Sequence, residues 1–112
     1  MPSTTTVRLP AALVAALSDR DAFQSKGEEA VAAALFETAT YVKRGKGRTA
    51  HATMTAEQIG VLADYLHSLL GLVDSGIAPA SEFGVSRSRL DAIVRDLGQA
   101  QDATEAQDAR RP

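Results

Sequence analysis

Apolar and polar residues alternate from Thr4 to Leu9, and the period changes at Pro10. Thr5, Val7 and Leu9 fall on one side and Thr4, Thr6 and Arg8 on the other, which predicts a strand. Pro10 suits a helix start, where its missing N–H costs nothing. Leu13, Ala16 and Leu17 then share one face of a helix over about 11–20. Asp19-Arg20-Asp21 breaks the pattern, and Phe23 is expected to turn back into the core. Ser25 and Glu28 have the spacing of a capping box. Val31, Ala34, Leu35, Thr38 and Val42 follow as one buried face of a second helix, stopped by Gly45 and Gly47.

The strongest periodicity lies downstream. Thr55 and Gln58 again have capping-box spacing. Ile59, Leu62, Ala63, Leu66, Leu69, Leu70 and Val73 form an almost unbroken helical stripe. Val61, Tyr65 and Leu72 add part of a second apolar face, which asks for more neighbours than one short helix. Asp74-Ser75-Gly76 ends this helix, and Pro79 opens a short one. Leu90, Ile93, Val94 and Leu97 predict a last helix, capped by Ser86 or Ser88 and stopped by Gly98. Residues 99–112 are polar apart from alanine and read as a disordered tail. The stretch 50–62 repeats the order of 5–17, a β-prone run and then a helix, too weakly to carry an argument.

A lone strand over 4–9 leaves its backbone donors and acceptors unpaired. The partner it calls for is the same strand of a second copy. The order strand, helix, helix, with Val7-Arg8-Leu9-Pro10 at the joint, resembles the ribbon-helix-helix family of MetJ/Arc-type repressors over about residues 3–44. The resemblance implies a two-stranded ribbon, shared by a homodimer, that enters the major groove of double-stranded DNA. Thr4, Thr6 and Arg8 would then face the bases. Arginine can bridge guanine O6 and N7, and threonine can touch a thymine methyl. The family's phosphate anchor maps to Ser25, Lys26 and Gly27, at a helix start where free N–H groups attract anions.

The expected fold class is therefore mainly α. Residues 1–44 would form the dimerising, DNA-binding module, 45–54 a basic glycine linker, 55–98 a helical extension and 99–112 the tail. Charge sharpens this picture. The 112 residues carry a net charge of −2, but the first fifty hold 7 basic and 5 acidic side chains and the remainder 5 and 9. Lys43, Arg44, Lys46 and Arg48 lie within six residues without a carboxylate. With Lys26 they are the expected phosphate contacts.

Other chemistry finds little support. The absence of cysteine excludes disulfides and cysteine–zinc sites. No apolar run approaches the roughly 18 residues of a membrane span, so no membrane partner is expected and the cytoplasm is the default location. Asp64 and His67 share a helix face, but His51 and His67 have no recognised metal spacing. Neither catalysis nor a cofactor is expected. The function these features predict is sequence-specific DNA binding by a dimeric transcriptional repressor, with dimers able to pair further on DNA. Two alternatives stay open. One is a helical interaction protein, of antitoxin, partition or inhibitor type, docking a protein partner through Ile59–Val73. The other is a helix-turn-helix at 80–97 with Ser86, Arg87, Ser88 and Arg89 at the start of its reading helix.

Overall fold

A computed structural model describes residues 3–45 and 47–110. The chain runs through β1 (Thr4–Pro10), α1 (Ala11–Asp19), α2 (Glu29–Ala32), β2 (Thr40–Arg44), β3 (Gly47–Thr55), α3 (Ala56–Asp74) and α4 (Arg87–Ala109). A π turn (Ala33–Glu37) extends α2, and a 3-10 turn (Ala80–Phe83) precedes α4. The fold is mixed α/β rather than mainly α.

β1 finds its partner inside the chain. It pairs antiparallel with β3 along its full length, from Thr4 opposite Thr55 to Pro10 opposite Thr49. β3 in turn pairs with β2, giving the order β1-β3-β2. The expected linker is therefore the central strand, and a ribbon made of β1 from two copies is replaced by a sheet closed within one chain. β3 alternates as a strand should: Ala50, Ala52 and Met54 are buried while Thr49, His51 and Thr53 face the other way. Each of β1 and β3 passes directly into a helix, so the weak repeat in the sequence is a real pair of strand–helix units.

Helices cover one face of the sheet. Val7, Leu9, Ala50, Ala52 and Met54 meet Leu13, Val14 and Leu17 of α1 and Ile59, Leu62 and Leu66 of α3 in one core. Thr55 and Gln58 close the predicted capping box at the start of α3. Phe23 does enter the core, with its ring centroid 4.9 Å from that of Tyr65 and its backbone in the left-handed region at φ 63°. Burial of the ring offsets a backbone conformation that bulky residues avoid.

Two predicted elements end differently. The second helix stops at the π turn, where the Thr38 N–H bonds to the Ala33 carbonyl. Thr40-Tyr41-Val42, β-branched and aromatic, then turns into β2. Val42 is consequently 41% exposed instead of buried on a helix. α4 passes through Gly98 and runs on to Ala109, so residues 99–109 of the expected tail are helical. Its 23 residues span about 35 Å at 1.5 Å per residue.

α4 lies alongside β1 in the opposite sense. The Ser3 N–H donates to Asp108 at 2.6 Å, and the Thr5 and Thr104 hydroxyls meet at 2.5 Å. Thr104 donates its one hydroxyl proton to the Ala100 carbonyl at 2.7 Å, so Thr5 is the donor to Thr104. Ile59–Val73, read as a possible docking face, is largely consumed: Ile59, Leu62, Leu66, Leu69 and Leu70 are buried in the core shared with Leu90, Ile93 and Leu97 of α4.

Candidate functional site

The face of the sheet turned away from the helices carries a distinct set of side chains. Strand alternation and register bring Thr4, Thr6 and Arg8 of β1 beside Thr55, Thr53 and His51 of β3. Thr40 and Val42 of β2 complete it, opposite His51 and Thr49. Thr4, Thr6, Arg8, Thr40 and Thr53 are exposed. The three residues assigned to base contact thus share one open face, with hydroxyls around a single guanidinium. Thr6 and Thr53 lie 3.3 Å apart at their hydroxyl oxygens. His51, at the centre, keeps its Nε2 out of solvent with no hydrogen-bond partner among the described residues.

The basic run folds into the β2–β3 hairpin. Lys43 stands directly opposite Arg48 in the ladder, and Arg44 opposite Gly47. Lys46 lies outside the described residues. Gly45 takes φ +57° in the turn, a conformation glycine adopts without strain. Lys43 and Arg48 are both exposed, and neither makes an ion pair among the described residues. Like charges directly opposed across a ladder are unfavourable by some tenths of a kcal/mol. The pair therefore adds nothing to the hairpin's own stability.

Two hollows flank these features. Beneath the hairpin, on the helix side, a groove of about 360 Å³ runs between Tyr41, Arg48, Phe36 and the Ala11, Ala15 and Ser18 face of α1. Between β1 and α4, a cleft of about 300 Å³ brings Arg8 near Arg89 and Asp96 over a floor of Val7, Ile93 and Leu97.

Other predicted contacts are already engaged. The Ser25 N–H donates to Glu28 Oε1 at 3.1 Å and the Gly27 N–H to Glu29 Oε2 at 2.8 Å. The donors assigned to a phosphate are thus answered by the chain's own carboxylates, and α2 has only four residues behind them. Lys26 is exposed in the same loop, away from the hairpin in sequence. Arg87 forks onto Asp74, with Nε at 2.9 Å and NH2 at 3.1 Å from the two carboxylate oxygens. This hydrogen bonding holds the Asp74 carboxyl below its ordinary value and the Arg87 guanidinium above its own. Arg87 therefore ties α3 to α4, and the helix-turn-helix alternative loses one of its two arginines; Arg89 remains exposed. A 3-10 turn also stands where that motif needs its first helix.

Among the described residues no group of three or more His, Cys, Asp or Glu could hold a metal, and no helix is long and apolar enough to cross a membrane. No family model, curated protein or solved structure matches the chain. Sequence reasoning left Tyr41, Thr49 and Thr53 out of the candidate site and weighed His51 only as a metal ligand. For the three β3 residues the signal was the alternation Thr49, His51, Thr53 against Ala50, Ala52, Met54, with small alanines standing in for the usual large apolar residues.

Proposed function

We propose that this chain is a nucleic-acid-binding protein that uses the β2–β3 hairpin, with the open outer face of the sheet beside it. The observation that carries this reading is the Lys43–Arg48 pair: two cations face each other across the ladder without a carboxylate partner among the described residues. A polyanion relieves that repulsion and releases its own counterions on binding. Lys43, Arg44, Lys46 and Arg48 then hold phosphates and set position, Lys43 and Arg48 from the helix side of the hairpin, while Thr4, Thr6 and Arg8 offer base contacts on the opposite, outer face. The two-stranded ribbon needed for such an interface comes from one chain and requires no second copy. Regulation of transcription is the role this binding serves if it proves selective for an operator.

The test is fluorescence anisotropy of the full chain with labelled oligonucleotides, single-stranded and duplex, over a series of salt concentrations. Affinity should fall steeply with salt, and log K against log salt should lose about 0.7–0.9 of slope for each phosphate contact removed. Lys43→Ala/Arg48→Ala should therefore flatten the slope by about 1.4–1.8. Absence of binding at low salt, or binding indifferent to salt, would overturn the reading.

A further inference from the structure

We infer that the groove beneath the hairpin is a stacking site for one unpaired nucleobase, which makes single-stranded nucleic acid the preferred ligand of the interface. The inference rests on the proposed nucleic-acid binding and names its substrate class. Tyr41 carries it. Tyr41 pairs with Ala50 and so points to the helix side of the sheet, where Ala50 is 1% exposed, yet Tyr41 itself remains 49% exposed. Its ring overhangs the groove instead of joining the core. Ala11, Ala15 and Ser18, spaced i, i+4 and i+7, form the opposite wall. Their short side chains leave room for a flat ring of base size against the tyrosine.

The charge around the groove selects the occupant. Its lining includes Arg48 and no carboxylate, and Lys43 stands across the ladder from Arg48. A free aromatic ring or an apolar peptide would fill the groove but leave these cations unanswered. A nucleotide supplies both halves, a π-face for Tyr41 and a phosphate for Arg48 and Lys43. Aromatic stacking of this kind is available to every base but only when the base is out of a duplex. Bases inside a paired duplex cannot reach the ring.

The experiment compares a fifteen-residue oligothymidine, an abasic strand of equal length and a duplex, each titrated into the full chain and into Tyr41→Leu and Tyr41→Phe. The chain has two tyrosines and no tryptophan, so intrinsic emission reports Tyr41 and Tyr65 alone. The expected result is tighter binding of oligothymidine than of the other two, with partial quenching of tyrosine emission. Tyr41→Leu should cost about ten-fold in oligothymidine affinity, bring it down toward that of the abasic strand with a smaller change in duplex affinity, and abolish the quenching. Tyr41→Phe should retain wild-type affinity because the ring remains. Equal affinity for oligothymidine and the abasic strand, or wild-type behaviour of Tyr41→Leu, would overturn the stacking site while leaving the basic hairpin as a phosphate binder. Failure to bind any of the three would overturn both readings.

Discussion

At the β1 edge of the sheet, α4 lies alongside the strand, its Thr104 and Asp108 meeting Thr5 and Ser3 and its Ile93 and Leu97 facing Thr6–Arg8 across a cleft. At the β2 edge, the strand packs on β3 and carries Tyr41 and Val42, two of the three exposed large hydrophobic residues among those described, together with a cation facing a cation. Edge strands present unpaired backbone groups and are commonly covered or charged for that reason. The β1 edge follows the first course, and its local choices agree with the fold. The β2 edge is guarded by charge at a cost to the hairpin itself. Departures from local consistency of this kind concentrate at functional sites. The contrast is what the proposed nucleic-acid interface at β2 rests on, while α4 secures the β1 edge.

The largest effect should come from breaking the closed edge. Leu97 is 3% exposed and helps seat α4 against β1. Leu97→Ala should lower stability by about 2–5 kcal/mol through lost burial and the cavity left behind. Val42→Ala on the open edge should change it by no more than about 0.5 kcal/mol. Urea unfolding of the two variants checks the comparison, and equal losses would erase the distinction between the edges.

A smaller and more pointed test addresses the hydroxyl relay. Thr104→Val keeps the shape but strands the Thr5 hydroxyl, at an expected cost of about 1–2 kcal/mol. Adding Thr5→Val should recover most of that loss, because removing both partners leaves no unsatisfied donor. A double-mutant cycle in urea measures the coupling, and strictly additive losses would show that the two hydroxyls act independently.

The two edges also differed in how legible they were. The start of α3 was readable because a capping box is local: Thr55 and Gln58 satisfy each other within one turn. β3 was hidden because Ala50 and Ala52 give little hydrophobic contrast with their threonine neighbours, and Gly45 and Gly47 read as a linker until their strands are paired. Strand pairing is non-local, and the choice between a second copy's β1 and this chain's own β3 is not written in β1. The end of α4 was obscured for a related reason. Beyond Leu97 its described residues are held by a buried Thr104, without a large apolar stripe. On the candidate site, the cation run announced Lys43 and Arg48, and alternation announced Thr4, Thr6 and Arg8. Tyr41 could not be singled out, since its exposure exists only once β2 has left the helix.

The open edge yields the next prediction. Lys43→Glu converts a repulsive cross-strand pair into an attractive one and should raise stability by about 0.2–1 kcal/mol. The same change should weaken nucleic-acid binding by about ten-fold or more, since a phosphate contact becomes a repulsion. Opposite signs in thermal unfolding and in anisotropy are what a residue kept for binding requires. A loss in both would assign Lys43 to folding instead.

The smallest effect concerns the start of α4, where Arg87 holds Asp74. The hydrogen bonds from Arg87 lower the carboxyl's pKa in the folded chain below the reference value of 3.8, against a smaller opposing effect of desolvation. A carboxyl depressed on folding contributes stability that is complete above its unfolded value and is lost as pH falls through the folded one. Wild type should accordingly unfold at a higher temperature than Arg87→Ala near neutral pH, and the gap should close below about pH 3.8. Both side chains are about half exposed, so the gap should also shrink in high salt. A gap that persists undiminished in acid would mean that Arg87 acts through the packing of its aliphatic stem, making this anchor of the α4 edge apolar rather than ionic.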